Sequence, residues 1–229
     1  MAMARRWGMT TARTRCIAMA DADHLQLVQW LSPAFPIGAY ASSQRLEAAI
    51  ASGDVRDAVA LHGWIATVLT HGSGRLDAVF LALARREGEV MALADLARAM
   101  AASPERLTEM TEQGRAFGLT IAAITALPQP ALPYALAVGH ATRALRVATS
   151  DVVMLWLHGL AAQLTSVAVR FVPLGQTEGQ QILARLAPLI AGLAENYATL
   201  GIDDLSSTTP GADLAAMCHE TMNVRIYRT

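Results

Sequence analysis

The 229-residue chain contains no lysine, and all 18 of its basic residues are arginine. That absence removes several classes of chemistry. A P-loop places a Lys against the β/γ-phosphates of its nucleotide. Schiff-base catalysis, pyridoxal phosphate included, needs a Lys amine. Biotin and lipoyl carriers, whose groups are attached through Lys, go with them. Cysteine is also scarce: Cys16 and Cys218 stand near opposite ends of the chain. Two thiols cannot make a multi-thiolate zinc site. They offer no disulfide framework either, so a reducing, cytoplasmic setting is expected. Charged residues make up only 16% of the chain and the net charge is -1. The average globular domain carries ~25% charged residues, and nucleic acid calls for a basic face that this balance does not provide.

What is abundant is apolar: 53% of residues, with only 5% aromatic. A chain of this length and composition buries a sizeable core without disulfides or a structural metal, and disorder over most of it is excluded. Residues 1–20 hold Arg5, Arg6, Arg13 and Arg15 and no acid. They read as a flexible leader or a misassigned start, with a basic or targeting arm as the alternative; no apolar stretch long enough for a secretory signal follows. The uncharged run Val152 to Val169 raises the question of a membrane span. It carries His158, Gln163, Thr165 and Ser166, which a helix buried in a helical core accommodates more cheaply than lipid does. No membrane association is expected.

Periodicity predicts helix almost throughout. Leu27, Trp30, Leu31 and Ala34 follow an i, i+3, i+4, i+7 stripe, as do Ile182, Leu186, Leu189, Ile190, Leu193 and Tyr197. No Val/Ile/Thr alternation bounded by hairpin turns appears. Pro33, Pro36 and Gly38 separate the first helix from the second, which Gly53 closes. Ser103-Pro104-Glu105 reads as an N-cap followed by Pro at the first helical position. A rigid Pro128/Pro130/Pro133 connection leads into a helix spanning Tyr134 to Val147, and Thr149-Ser150-Asp151 starts the uncharged helix. The expectation is an all-α, single-domain bundle of about nine or ten helices. Its parts are a flexible arm (1–20), a helical domain (21–211) and an extended C-terminal tail (212–229). In that tail Met222, Val224 and Ile226 alternate with Asn223, Arg225 and Tyr227.

Catalytic signatures are missing from the local sequence. No HExxH or GxSxG occurs, and no two of the six histidines stand at i+3 or i+4 spacing. Cys218-His219 supplies one thiol and one imidazole, an incomplete metal site. His158 is expected to be a satisfied core residue, and Ser42 and Ser43 to serve as N-caps. A Ser, a His and a carboxylate brought together in space, as in a small helical hydrolase, is the alternative that sequence spacing leaves open. Two segments nevertheless carry more punctuation than packing requires: residues 31–47, LSPAFPIGAYASSQRLE, and residues 169–180, VRFVPLGQTEGQ. On spacing alone both read as ordinary inter-helix turns.

Together with His219-Glu220 and Arg225-Ile226-Tyr227-Arg228-Thr229, these two segments resemble the UreF family of urease accessory proteins. Ser32, Pro33, Pro36, Gly38, Ser43, Leu46 and Glu47 fit the family's first motif. Val169, Arg170, Pro173, Leu174, Gly175, Gln176, Thr177, Gly179 and Gln180 fit the second, and His219, Glu220, Arg225 and Arg228 the third. Ile226-Tyr227 replaces the family's usual Leu-Phe, and Thr229 its terminal Ser. The order and spacing agree from about residue 24 onward.

The resemblance implies an all-α protein without catalysis, cofactor or resident metal that helps install nickel in urease. It implies a homodimer that binds the accessory protein UreD (also called UreH) and the GTPase UreG, and with them docks on apo-urease. It places partner contacts at Tyr40, Ser43, Glu47, Gln176, Gln180, His219, Glu220, Arg225, Tyr227 and Arg228. Among these, Tyr40 and Arg225 would engage the GTPase, and the C-terminal segment would order on UreD/UreH.

Overall fold

The computed structural model describes residues 21–39, 42–86 and 88–206. Residues 21–30 are helical (α1). Eight α-helices follow: α2 Leu46–Ala51, α3 Ala58–His71, α4 Ser73–Arg86, α5 Val90–Ala99, α6 Pro104–Thr125, α7 Tyr134–Ala141, α8 Thr149–Phe171 and α9 Gln176–Tyr197. Short 3-10 turns occupy Thr142–Ala144 and Ile202–Asp204. Among the described residues there is no strand.

With α1 the described residues hold nine α-helices, against the nine or ten expected of the whole chain, and several residues that punctuate a sequence do not break a helix here. Gly114 and Gly118 lie within α6, Gly159 within α8, and Pro188 within α9. An interior proline costs about 3 kcal/mol. In α9 that cost is offset by the buried stripe Ile182, Leu183, Leu186 and Ile190 laid against α8. The arm 1–20 and the tail 212–229 lie outside the described residues.

Helix starts follow local chemistry. Asp57 accepts hydrogen bonds from the Val59 and Ala60 amides at 3.0 and 2.8 Å, which opens α3. Ser103 accepts from the Arg106 amide at 3.2 Å, with Pro104 at the first helical position of α6. Glu178 reaches back to the Gly175 amide at 2.9 Å at the head of α9.

α4 is the centre of the molecule. Its residues 77–84 are all buried, as a helix enclosed on every side must be, and it packs against α3, α5, α7, α8 and α9. Aromatic rings tie the periphery to this core. Trp30 and Phe35 meet Phe117, which meets Tyr134 at 5.6 Å, and Tyr134 meets Trp156 at 4.8 Å. The chain of rings thus runs from α1 through α6 and α7 to α8.

Three expectations need correction. The helix beginning at Tyr134 stops at Ala141, because Thr142 turns its hydroxyl back onto the Val138 and Gly139 carbonyls at 2.8 and 3.1 Å. Arg85 also draws the carbonyls of Thr142, Leu145 and Val147 toward itself. His158 is exposed on the outer face of α8 and is not a core residue. α8 is only partly enclosed. By length and composition it could cross a membrane, and 56% of its most apolar window is buried inside the protein.

Candidate functional site

The segment joining α1 to α2 is held in a conformation that its residue types do not favour by themselves. Ser32 starts the turn, its hydroxyl accepting from the Ala34 amide at 3.2 Å and its carbonyl from the Phe35 amide at 2.9 Å. Gly38 takes the left-handed conformation freely, at φ 78°. Gln44 and Arg45 take it at φ 48° and 73°, although both carry a Cβ. Each such residue costs on the order of 1–2 kcal/mol and persists only where its surroundings fix it.

Two helices do the fixing. The Gln163 side-chain amide of α8 donates to the carbonyls of Ala39 and Ser42, each at 3.0 Å. The Ser42 hydroxyl donates to Glu109 of α6. Ser42 and Ser43 are therefore buried anchors, 3% and 0% exposed, and the expected serine N-cap is replaced by Arg45, which makes no side-chain capping bond. A carboxylate in the adjacent helix claims the Ser42 hydroxyl before α2 can use it.

Glu109 belongs to a buried ion cluster. Arg106 donates through Nη1 to Glu109 at 2.7 Å and through Nη2 to Asp77 of α4. Gln113 donates to the remaining Glu109 oxygen at 3.2 Å. Burial pushes the Asp77 carboxyl above its ordinary value, against the opposing pull of Arg106. Burial works against the Arg106 charge too, but Asp77 and Glu109 together outweigh it and hold the guanidinium ionised. The cluster borders a cavity of about 220 Å³, whose polar wall is Arg45, Ser73, Asp77 and Arg106 and whose apolar wall includes Phe80, Met110 and Leu136.

Chemically, this arrangement braces. Both carboxylates are spent on one guanidinium, and the hydroxyl that approaches them, Ser42, donates to a carboxylate with no imidazole between. Among the described residues no three His, Cys, Asp or Glu side chains converge as a metal site.

The residues singled out in the sequence fall in different places. Ser43 and Glu47 are buried, at 0% and 8% exposure, and support the α1–α2 segment and α2 from within. Gln176 and Gln180 are exposed on the first turns of α9, one turn apart on one face. Tyr40, His219, Glu220, Arg225, Tyr227 and Arg228 lie outside the described residues. Sequence reasoning missed Asp77, Arg106, Glu109 and the role of Gln163. Arg106 and Glu109 stand at i, i+3 on α6, a legible pairing, and Gln163 is a polar residue within an apolar run. Asp77 gave no signal, because its partner lies on another helix.

Comparison with known proteins supplies the remaining constraint. The model of the UreF family matches residues 55–187. Urease accessory protein UreF of Cereibacter sphaeroides (strain KD131) is 54% identical over 205 residues, covering 90% of this chain and 98% of that protein. The protein of the same name from Roseobacter denitrificans is 46% identical over 223 residues, 96% of this chain and all of its own length. That of Paracoccus denitrificans is 48% identical over 210 residues.

Proposed function

The chain belongs to the UreF family of urease accessory proteins, a family of helper proteins and not of enzymes, and from that premise we propose that it is a docking adaptor in the maturation of the urease nickel centre. In this reading it works in the cytoplasm as a homodimer. It bridges the accessory protein UreD/UreH and the GTPase UreG, and the assembly loads nickel into apo-urease. Tyr40 and Arg225 engage the GTPase, and residues 212–229 order against UreD/UreH.

The observation that carries the reading is the family relationship, which runs through nine-tenths of the chain. The geometry supports it in one respect. Asp77, Arg106, Glu109 and Gln113 bond to one another in the interior, and Glu109 and Gln163 hold the α1–α2 segment through Ser42 and Ala39, as suits a rigid surface that other proteins grip. Arg225 offers a planar fork suited to a partner carboxylate. An interface whose tail orders on binding gives up part of its interaction energy to entropy and so stays reversible, which suits a GTPase that must arrive and leave.

The test is urease activation in cells lacking this protein, with the nickel content of the recovered urease measured alongside. Full-length chain restores both. Arg225→Ala is expected to restore neither fully while folding normally, and a chain lacking 212–229 is expected not to co-purify with UreD/UreH. Nickel-replete, active urease in cells without the chain would refute the proposal.

A further inference from the structure

We propose that Gln44 and Trp156 form a binding site for a small neutral amide, a compound of the size of acetamide or urea that accepts from the Trp156 indole N–H and donates to the Gln44 side-chain oxygen. Both residues line a cavity of about 70 Å³. Trp156 is 8% exposed and its Nε1 has no hydrogen-bond partner; Gln44 Oε1 is buried in the same condition. Buried polar atoms in folded proteins are nearly always paired, because an unpaired one forfeits its hydration. Trp30, Trp64 and His140 each hold one such atom too, but none of them borders this cavity. Gln44 and Trp156 share it, and one ligand with a donor and an acceptor satisfies both.

Gln44 reaches the cavity from a backbone that is costly to hold. It takes the left-handed conformation at φ 48° although it carries a Cβ, and strain of that kind gathers where a side chain is presented to a ligand. The wall decides the ligand's charge. Asp77 and Arg106 both line it, but they are paired with each other and Arg106 is shared with Glu109. An added carboxylate would meet Asp77 and an added cation Arg106, so a neutral group fits. Tyr134, packed on Trp156 at 4.8 Å, completes this wall, with burial holding its phenol above the ordinary range and so uncharged. The volume takes about five waters or one molecule of four or five heavy atoms. Half-buried Ile37, Leu155 and Gly159 form the outer side and offer the way in.

The experiment follows the indole N–H resonances of the full-length chain by NMR as acetamide is added, the Trp156 resonance being identified by its loss in Trp156→Phe. That resonance is expected to shift saturably, with a dissociation constant on the order of millimolar, as befits so few ligand atoms. The Trp30 and Trp64 indoles, equally unpartnered but away from the cavity, are expected to stay in place. Acetate, of the same shape but charged, is expected to move none of them. A Trp156 indole that acetamide leaves unmoved overturns the inference and assigns the cavity to water alone. A matching shift with acetate overturns it too, by removing the selection for a neutral group, and equal shifts of all three indoles reduce the effect to a change of solvent.

Saturation transfer to the acetamide methyl group reads binding in variants that lack the reporter indole. Trp156→Phe removes the donor and keeps a ring against Tyr134. Gln44→Gly removes the acceptor from a backbone conformation that glycine adopts freely. Each is expected to weaken acetamide at least about fivefold, with unchanged Trp30 and Trp64 resonances showing that the fold is intact. Wild-type affinity in both variants overturns the assignment of these two residues. The isolated chain is titrated without partners, so the result stands apart from the adaptor reading.

Discussion

Arg106 of α6 closes an ion pair with Asp77 of α4 while its other guanidinium nitrogen holds Glu109 at 2.7 Å. One cation is therefore shared between two buried carboxylates from two helices. Its removal leaves both without their charge partner, a situation that costs about 3–5 kcal/mol. Arg106→Met is expected to lower the urea midpoint accordingly, with the dependence on denaturant unchanged. Asp77→Asn is expected to cost much less, because Asn still accepts from Arg106 and burial already works against the Asp77 charge. Equal losses for the two variants would show that the cluster is not centred on the arginine.

The same carboxyl gives a pH signature. Asp77 has its folded-state value raised above 3.8 by burial, with Arg106 and Arg45 pulling down and Glu109 adding to the rise. A raised acid binds its proton more tightly when folded. The stability it contributes is therefore present below its ordinary range and is lost as pH climbs through the window just above 3.8. As pH rises above about 4, urea titrations should show wild type losing ground to Asp77→Asn. A gap between the two proteins that stays constant with pH would contradict the direction of the shift.

Glycines separate close packing from mere tolerance. A Cβ at Gly139 of α7 would press on the Leu81 carbonyl and stand 2.9 Å from the Ala84 methyl, and one at Gly114 of α6 would press on the Leu132 carbonyl and stand 2.8 Å from the Tyr134 amide nitrogen. These are backbone obstacles, so Gly139→Ala and Gly114→Ala are expected to destabilise by about 2 kcal/mol or more. Gly192, exposed on α9, has nothing within 4 Å of such a methyl. There Ala is expected to stabilise by up to about 1 kcal/mol through helix propensity. Thermal unfolding of the three variants checks the contrast.

How much of this was legible depended on whether the deciding contact was local. Ser103-Pro104 announced the start of α6, and the apolar stripes of α8 and α9 were readable from their period, because caps and stripes involve residues within a turn or two. Ser42 looked like a cap because serine before a helix usually is one. Its actual partner, Glu109, comes from α6 and carries no mark in the sequence near Ser42. His158 was misplaced for a related reason. An uncharged run suggests a fully enclosed helix, yet α8 leaves one face open and His158 lies on it. The helix after Pro133 was read too long because nothing adjacent to Thr142 reveals that Arg85, distant in sequence, takes the carbonyls of the next turn. At the candidate site the family motifs pointed to the α1–α2 segment and the head of α9, while the groups that hold the former, Gln163 and the Arg106 cluster, became visible only in three dimensions.

Arg85 provides the sharpest test of that last kind of contact. From the end of α4 its guanidinium donates to the carbonyls of Thr142 and Val147 and, at 3.1 Å, to that of Leu145. Arg143 reaches the other way, donating through Nε to the Ala84 carbonyl at 2.6 Å. The connection between α7 and α8 is thereby stitched to α4 from both sides, with no regular secondary structure in Leu145–Ala148 to do it. Burial works against the Arg85 charge and the Asp151 carboxylate works for it, so the three carbonyls act together with Asp151 in keeping a cation there. A planar fork meets three diverging acceptors in a way that an ammonium on a flexible stem does not. Arg85→Lys is therefore expected to lose about 2 kcal/mol, nearly as much as Arg85→Met, because most of the hydrogen bonds go in either case. Hydrogen exchange at residues 142–148 should rise in both variants. If lysine restored full stability, charge alone would be the requirement and the fork geometry would be incidental; if exchange stayed slow in both, the connection would owe its order to packing of Leu145 and Val147 in the core and not to the arginine.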